Sequence, residues 1–127
     1  MKIEHIALNV EKVKESADWY VKNLNMTIVR KVDNFPYPIF LADEAGHTVL
    51  EFYRNDTVEI PSYWDVPVWN IHIAFNVDNI ERVMAELVAR GAVAEKEIVT
   101  VASGDKAGFV RDLNGVPLQI IERIEPL

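Results

Sequence analysis

The chain has no cysteine. Disulfides, zinc knuckles, iron–sulfur clusters and thiol catalysis are excluded with it. Basic charge is also scarce: 13 Lys and Arg stand against 20 Asp and Glu, giving a net charge of −7 and a pI near 4.9. A nucleic-acid binder needs a basic face, and an anionic membrane surface selects for one, so neither partner is expected. No apolar run approaches the ~20 residues of a membrane span. Met1-Lys2-Ile3-Glu4-His5 has no apolar stretch after its lysine, so no signal peptide is read. What remains is 127 residues, 50% of them apolar and 26% charged. That is an ordinary globular balance and enough chain for one domain with its own core. A cytoplasmic protein is expected.

The chain repeats itself. His5-Ile6-Ala7-Leu8-Asn9-Val10 returns as His72-Ile73-Ala74-Phe75-Asn76-Val77, an offset of 67 residues. A helical stripe follows in each half: Val13, Ala17, Tyr20, Val21 and Leu24, then Ile80, Val83, Met84, Leu87 and Val88. Asp78 reads as an N-cap, and Asn25 and Gly91 as left-handed residues past the helix ends. Three strand-like runs follow each helix, at about 27–33, 38–43 and 47–53, and at about 95–101, 107–111 and 117–124. The turns Asp43-Glu44-Ala45-Gly46 and Asp112-Leu113-Asn114-Gly115 precede the last strands. Each half is therefore strand–helix–strand–strand–strand. The first module runs over about 1–54, a proline-bearing linker over about 55–69 and the second module over about 70–124, within a single domain of 1–127. Neither half is long enough to stand alone, so the halves share a core or pair across a dimer.

Side chains alternate faces along a strand. Ile6, Leu8 and Val10, like Ile73, Phe75 and Val77, are set to pack under the helix. His5, Ala7 and Asn9, and His72, Ala74 and Asn76, point the other way. In the last strand of the first half, Thr48, Leu50 and Phe52 read as core. Glu51 shares the opposite face with His47, Val49 and Tyr53. Aligning Leu118-Gln119-Ile120 with Leu50-Glu51-Phe52 puts Gln119 in the place of Glu51. Glu122 falls on the other face and is rejected as a partner. The plain reading is a pair of structural histidines and a partly buried glutamate. Symmetric placement, and the cost of burying Glu51 without a partner, favour a cation instead. His5, Glu51, His72 and Gln119 are the candidate ligands. Two imidazoles, a carboxylate and an amide oxygen suit a divalent transition metal (nickel, cobalt, manganese, zinc or iron) with positions left for substrate or water.

Four stretches carry a family resemblance: Ile3 to Val10, Trp19 to Met26, Asn70 to Phe75, and Gly108 to Gln119. With them the chain resembles the vicinal-oxygen-chelate superfamily, which includes glyoxalase I, methylmalonyl-CoA epimerase, fosfomycin-resistance proteins, extradiol dioxygenases and bleomycin-binding proteins. The resemblance implies an α+β fold of two βαβββ modules in pseudo-twofold repeat, forming a cupped mixed sheet around a central cavity. It also implies metal ligands from the first and last strand of each module, which are the same four residues. In layout the chain is closest to small bacterial glyoxalase I-like proteins, and small members of the family often form homodimers.

One fold hosts many reactions. The resemblance implies a metal-dependent lyase or isomerase that chelates a small, oxygen-rich, anionic substrate and stabilises an enolate-like intermediate, with Glu51 as the catalytic base. Glyoxalase I supplies a second glutamate where Gln119 stands, and glutamine cannot titrate. The family's glutathione-contacting arginine is replaced by Asn9, although Asn55 matches a glutathione-contacting asparagine. Methylmalonyl-CoA epimerase has the same donor types with its halves exchanged. An iron(II) dioxygenase would want the carboxylate at Gln119. The alternative of a different class is a non-catalytic, ligand-sequestering protein of the bleomycin-resistance kind. Among other residues, His47 reads as surface, Tyr53 as pocket wall, and Tyr63, Trp64 and Trp69 as packing in the linker. Phe35-Pro36-Tyr37-Pro38 reads as a stiff rim.

Overall fold

The computed structural model describes residues 1–47 and 49–127. Thr48, expected in the core, lies outside them. The chain divides into two compact units, Met1–Pro61 and Ser62–Leu127. The first contains β1 (Ile6–Asn9), α1 (Val13–Asn23), β2 (Thr27–Lys31), β3 (Ile39–Ala42) and β4 (Val49–Tyr53). The second opens with a 3-10 turn at Tyr63–Asp65. It continues with β5 (Ile73–Asn76), α2 (Ile80–Ala89), β6 (Val93–Thr100), β7 (Lys106–Arg111) and β8 (Pro117–Glu122). Both units build the same sheet, β1-β4-β3-β2 and β5-β8-β7-β6, in which only the first and last strands of the module pair in parallel. The expected α+β architecture of two βαβββ modules is thus present.

In the first unit, Val13, Ala17 and Tyr20 of α1 are buried, and Tyr20 meets Phe52 of β4 edge-to-face at 4.9 Å. Buried Ser16 and Trp19 widen that face, whereas Val21 is exposed. The apolar stripe is therefore centred one position away from where its valine suggests. Asn25, at φ 53°, ends the helix in the left-handed conformation, as expected. Leu8 and Val10 are buried, but Ile6 at the start of β1 is exposed.

The second unit buries its helix at the same phase, through Ile80, Met84 and Leu87. The N-cap is Asn79 rather than Asp78: its side chain accepts the Arg82 N–H at 2.8 Å. Glu122 has a structural task here, accepting the Ile80 N–H at 2.9 Å. At the other end, Gly91 at φ 102° forms a Schellman closure, with Gly91 N–H to the Val88 carbonyl and Ala92 N–H to the Leu87 carbonyl.

Residues 62–69 pack within this unit. Arg111, buried in β7, donates to the carbonyls of Tyr63, Gly115 and Val66 and forms a two-point ion pair with Glu95. Asp112 beside it is also buried, and its Oδ1 accepts the N–H groups of Asn114 and Val116. The turn it forms places Gly115 at φ 85° directly against the Trp64 ring. A Cβ on Gly115 would lie 2.5 Å from that ring.

Two predictions follow from this packing. Gly115→Ala combines a left-handed backbone, which costs an L-residue about 1–2 kcal/mol, with a ring collision. Its thermal midpoint, followed by circular dichroism, is expected to fall clearly below the parent's; an unchanged midpoint would contradict the packing. The second prediction concerns acid. The Arg111 guanidinium holds the Glu95 carboxyl below the ordinary glutamate value. Glu95 therefore contributes stability that is complete above its unfolded-state pKa and is lost as pH falls through its lower folded-state pKa. Urea midpoints of Glu95→Gln should decline less steeply than the parent's below about pH 4.5.

Candidate functional site

Parallel pairing of first and last strands carries the expected residues to neighbouring positions. In the first unit Ala7 is opposite Glu51, and Phe40 of β3 flanks Glu51 on its other side. His5 lies two residues before Ala7 and so on the same face. The small Ala7 side chain leaves room between them. His5 Nε2 stands 3.1 Å from Glu51 Oε2, and the imidazole lies edge-on to Phe40 at 5.6 Å. The His5 side chain is 34% exposed and that of Glu51 15%. His5 Nδ1 is engaged by the Glu4 carboxylate. The Glu4 hydrogen bond raises the His5 pKa above its ordinary value; the charges of Glu4 and Glu51 add to it, and burial opposes it.

The second unit reproduces the arrangement. Ala74 is opposite Gln119, with Phe109 of β7 on the far side. His72 precedes Ala74 by two residues and lies edge-on to Phe109 at 5.3 Å. Its Nδ1 is 2.9 Å from the Val68 carbonyl oxygen. A carbonyl can only accept, so Nδ1 carries the proton and donates. In the neutral ring the Nε2 lone pair is then free. Such an outer hydrogen bond is the usual way in which a ligating histidine is oriented.

The spacing of His5 and Glu51 is compatible with two ligands of one divalent cation. Two ligands about 2.1 Å from one ion and at right angles stand about 3 Å apart, close to the His5–Glu51 separation. Both imidazoles have Nδ1 occupied by an acceptor, which leaves Nε2 for coordination. Each unit brings a pair of donors. Among the described residues, no group of three or more His, Asp or Glu side chains converges.

Other expectations fall out differently. His47 is exposed, and its backbone N–H is accepted by Asp43 Oδ1. Asn9 is buried with its amide clasped to the backbone of Asn55: it donates to the Asn55 carbonyl at 2.9 Å and accepts the Asn55 N–H at 2.8 Å. Asn55 Oδ1 in turn accepts from Thr57. Tyr63 is buried and Trp64 covers Gly115, so these two are packing residues, as read. Trp69 is exposed and lies edge-on to Phe109 at 5.1 Å. A cavity of about 480 Å³ has Trp69, Phe109 and Gln119 in its wall. A larger hollow of about 680 Å³, between α2 and β6, contains none of the four candidate ligands. The sequence reading missed Glu4, the Val68 carbonyl and the two phenylalanines. Phe40 and Phe109 were findable, because both sit in the third strand opposite the candidate ligand of the fourth.

A sequence profile described as the Glyoxalase/Bleomycin resistance protein/Dioxygenase superfamily matches residues 2–120. The chain belongs to this superfamily. Among its superfamily relatives is the lactoylglutathione lyase of Escherichia coli O157:H7, 28% identical over 133 residues that take in 96% of this chain and 93% of the relative. Among solved structures, a glyoxalase family protein from Bacillus cereus superposes with a TM-score of 0.82 at 15% identity, covering 98% of this chain and 95% of the other. TnmS3, an antibiotic binding protein from Streptomyces sp. CB03234, superposes at 0.68 with 16% identity, covering 96% and 98%. At those identities the two structures speak for the superfamily fold alone. No helix among the described residues is long and apolar enough to cross a membrane.

The tautomer assignment is testable by histidine nitrogen NMR on metal-free protein above neutral pH. His72 is expected to show the Nδ1–H form, and an Nε2–H pattern would overturn the Val68 hydrogen bond. In the same spectra Glu4→Gln should lower the titration midpoint of His5.

Proposed function

We propose that this protein is a metal-dependent lyase or isomerase of the glyoxalase-like type, acting on a small, oxygen-rich, anionic substrate. The observation that carries the reading is the duplicated frame: an imidazole with Nδ1 held by an acceptor, two residues before an alanine that pairs with Glu51 or Gln119, and in the first unit in direct contact with that oxygen donor. His5, Glu51, His72 and Gln119 would hold the ion. A divalent ion there supplies electrophilic pull on two substrate oxygens and stabilises the negative charge that develops on them. With Glu51 as the only charged donor, the ion and its ligands together carry about one net positive charge, partly offset by the Glu4 carboxylate behind His5, and this favours an anionic oxygen at the ion.

The chain's own residues divide the work. Glu51 is the only carboxylate of the set, and it takes a proton from the acidic carbon of the substrate and returns it at the neighbouring atom. His5 and Phe40 shield it from bulk water on two sides. Glu4 and the Val68 carbonyl fix the two imidazoles. Gln119 supplies a neutral oxygen, so proton transfer is confined to the half-site of the first unit. Asn9, clasped to Asn55, offers no cationic group to a glutathione carboxylate. This chain is therefore not expected to form S-lactoylglutathione at a rate comparable with its lactoylglutathione lyase relatives.

Gln119 also supports a second reading, a metal-loaded carrier that binds such a ligand without turning it over. Metal content by mass spectrometry is the first test. Untagged protein should hold nearly one equivalent of nickel, cobalt, manganese, zinc or iron, and His5→Ala and His72→Ala should lose it. Parent protein that takes up no metal even after reconstitution would sink the proposal. In deuterated water the loaded protein should label α-hydroxycarbonyl compounds at the acidic carbon. Glu51→Gln should cut that labelling by about 10²–10⁴. Ligand binding without any labelling in the parent protein would favour the carrier.

A further inference from the structure

The cavity beside Gln119 lies wholly within the second unit and has a composition of its own. Five of its wall residues are apolar: Trp69, Val99, Val101, Ala107 and Phe109. Three of these waste apolar surface on water, since Trp69 is 71% exposed, Val99 57% and Val101 46%. Contiguous exposed apolar surface of this kind marks a binding site more often than an ordinary protein exterior. Here it is concave, and its volume of about 480 Å³ is within the span of small-molecule sites.

The polar wall is as informative. Glu95 is already committed to Arg111 through two hydrogen bonds. Lys96 and Glu97 are adjacent and opposite in charge, and only Lys96 could receive an anion. A peptide-like substrate body with several carboxylates finds two carboxylates and a single ammonium group here. Gln119 is the one neutral polar side chain, and it is also the candidate ligand. Trp69, Phe109 and His72 form a continuous edge-to-face series, 5.1 Å and then 5.3 Å between ring centroids. The cavity therefore runs from a flat, exposed indole to the oxygen donor of the half-site.

We infer that the substrate of the proposed site carries a flat apolar group, an aromatic ring or its equivalent, which lies against Trp69 between Val99 and Phe109 while its oxygens reach Gln119. The inference rests on the function proposed above for the oxygen end; the ring end stands on the cavity alone. Offset or edge-to-face contact with Trp69 and Phe109 fixes the plane of the ring. Val99 of β6 and Val101 just past its end close its other face.

Two hydroxamates and an oxygen-poor ring separate the ends. Benzohydroxamate and acetohydroxamate share one chelating head, and only the first has a ring; 2-naphthol is a ring without the head. By calorimetry on metal-loaded protein, benzohydroxamate should bind about tenfold to a hundredfold more tightly than acetohydroxamate. Trp69→Ala and Val99→Ala should remove most of that difference by weakening benzohydroxamate far more than acetohydroxamate, while Trp69→Phe should restore part of it. Both positions are exposed, and circular dichroism checks that the variants fold. Equal binding of the two hydroxamates would overturn the inference and leave the metal reading intact. Binding of 2-naphthol that depends on Trp69, with neither hydroxamate bound and no metal held, would uphold the cavity and overturn the metal reading. Failure of every ring to bind, with Trp69 protected from quenchers in a dimer and exposed on dilution, would assign the surface to a second copy of the chain and overturn the inference.

Discussion

Every N–H of the Arg111 guanidinium is used inside the second unit: one pair on Glu95, one on the carbonyls of Tyr63 and Gly115, and the last N–H on the carbonyl of Val66. A buried guanidinium is tolerable only when its charge is matched and its five donors are satisfied. Arg111 meets both conditions by drawing three separate pieces of chain around one point. The 3-10 turn at Tyr63–Asp65 is pulled against the β7–β8 turn, and Trp64 seats on Gly115 as a result. Two residues beyond Val66, the carbonyl of Val68 is thereby in place for His72. The orientation of a candidate metal ligand is thus set by an arginine that never touches it.

The duplicated motif was legible because strand parity and helix phase are local rules. Register bore out the alignment of Gln119 with Glu51: each sits opposite the alanine two residues beyond a histidine. The buried positions of α2 repeat those of α1 at the same 67-residue offset, Val13 with Ile80, Ala17 with Met84 and Tyr20 with Leu87. Errors fell where a neighbour in space decided the outcome. Val21 and Val88 continue their stripes in sequence but meet no partner, and both are exposed. Asp78 and Asn79 are both good caps on paper, and the helix start selects Asn79. Arg111 read only as part of a family-like run, because nothing in the sequence tells that its partners are carbonyls some 45 residues away.

The two half-sites are alike in frame and unlike in charge. One has a carboxylate behind its imidazole and another in front of it; the other has a carbonyl behind and an amide in front. The first half therefore concentrates negative charge and the capacity to move a proton. The second offers neutral donors and has an apolar wall beside Gln119. The two modules thus differ in charge at these positions while keeping the same strand order and pairing. The same asymmetry explains why the superfamily fold alone does not determine the chemistry.

The clasp between Asn9 and Asn55 closes a loop across a sequence separation of 46 residues. One side chain reads both backbone polar groups of one distant residue, which ties the exit of β4 to the end of β1. In the unfolded chain that closure must be found again at an entropic cost that grows only slowly with loop length. Small modules in secreted proteins commonly solve the same problem with a cross-link. Here the seal is made by an amide, so the integrity of the first module is indifferent to redox potential.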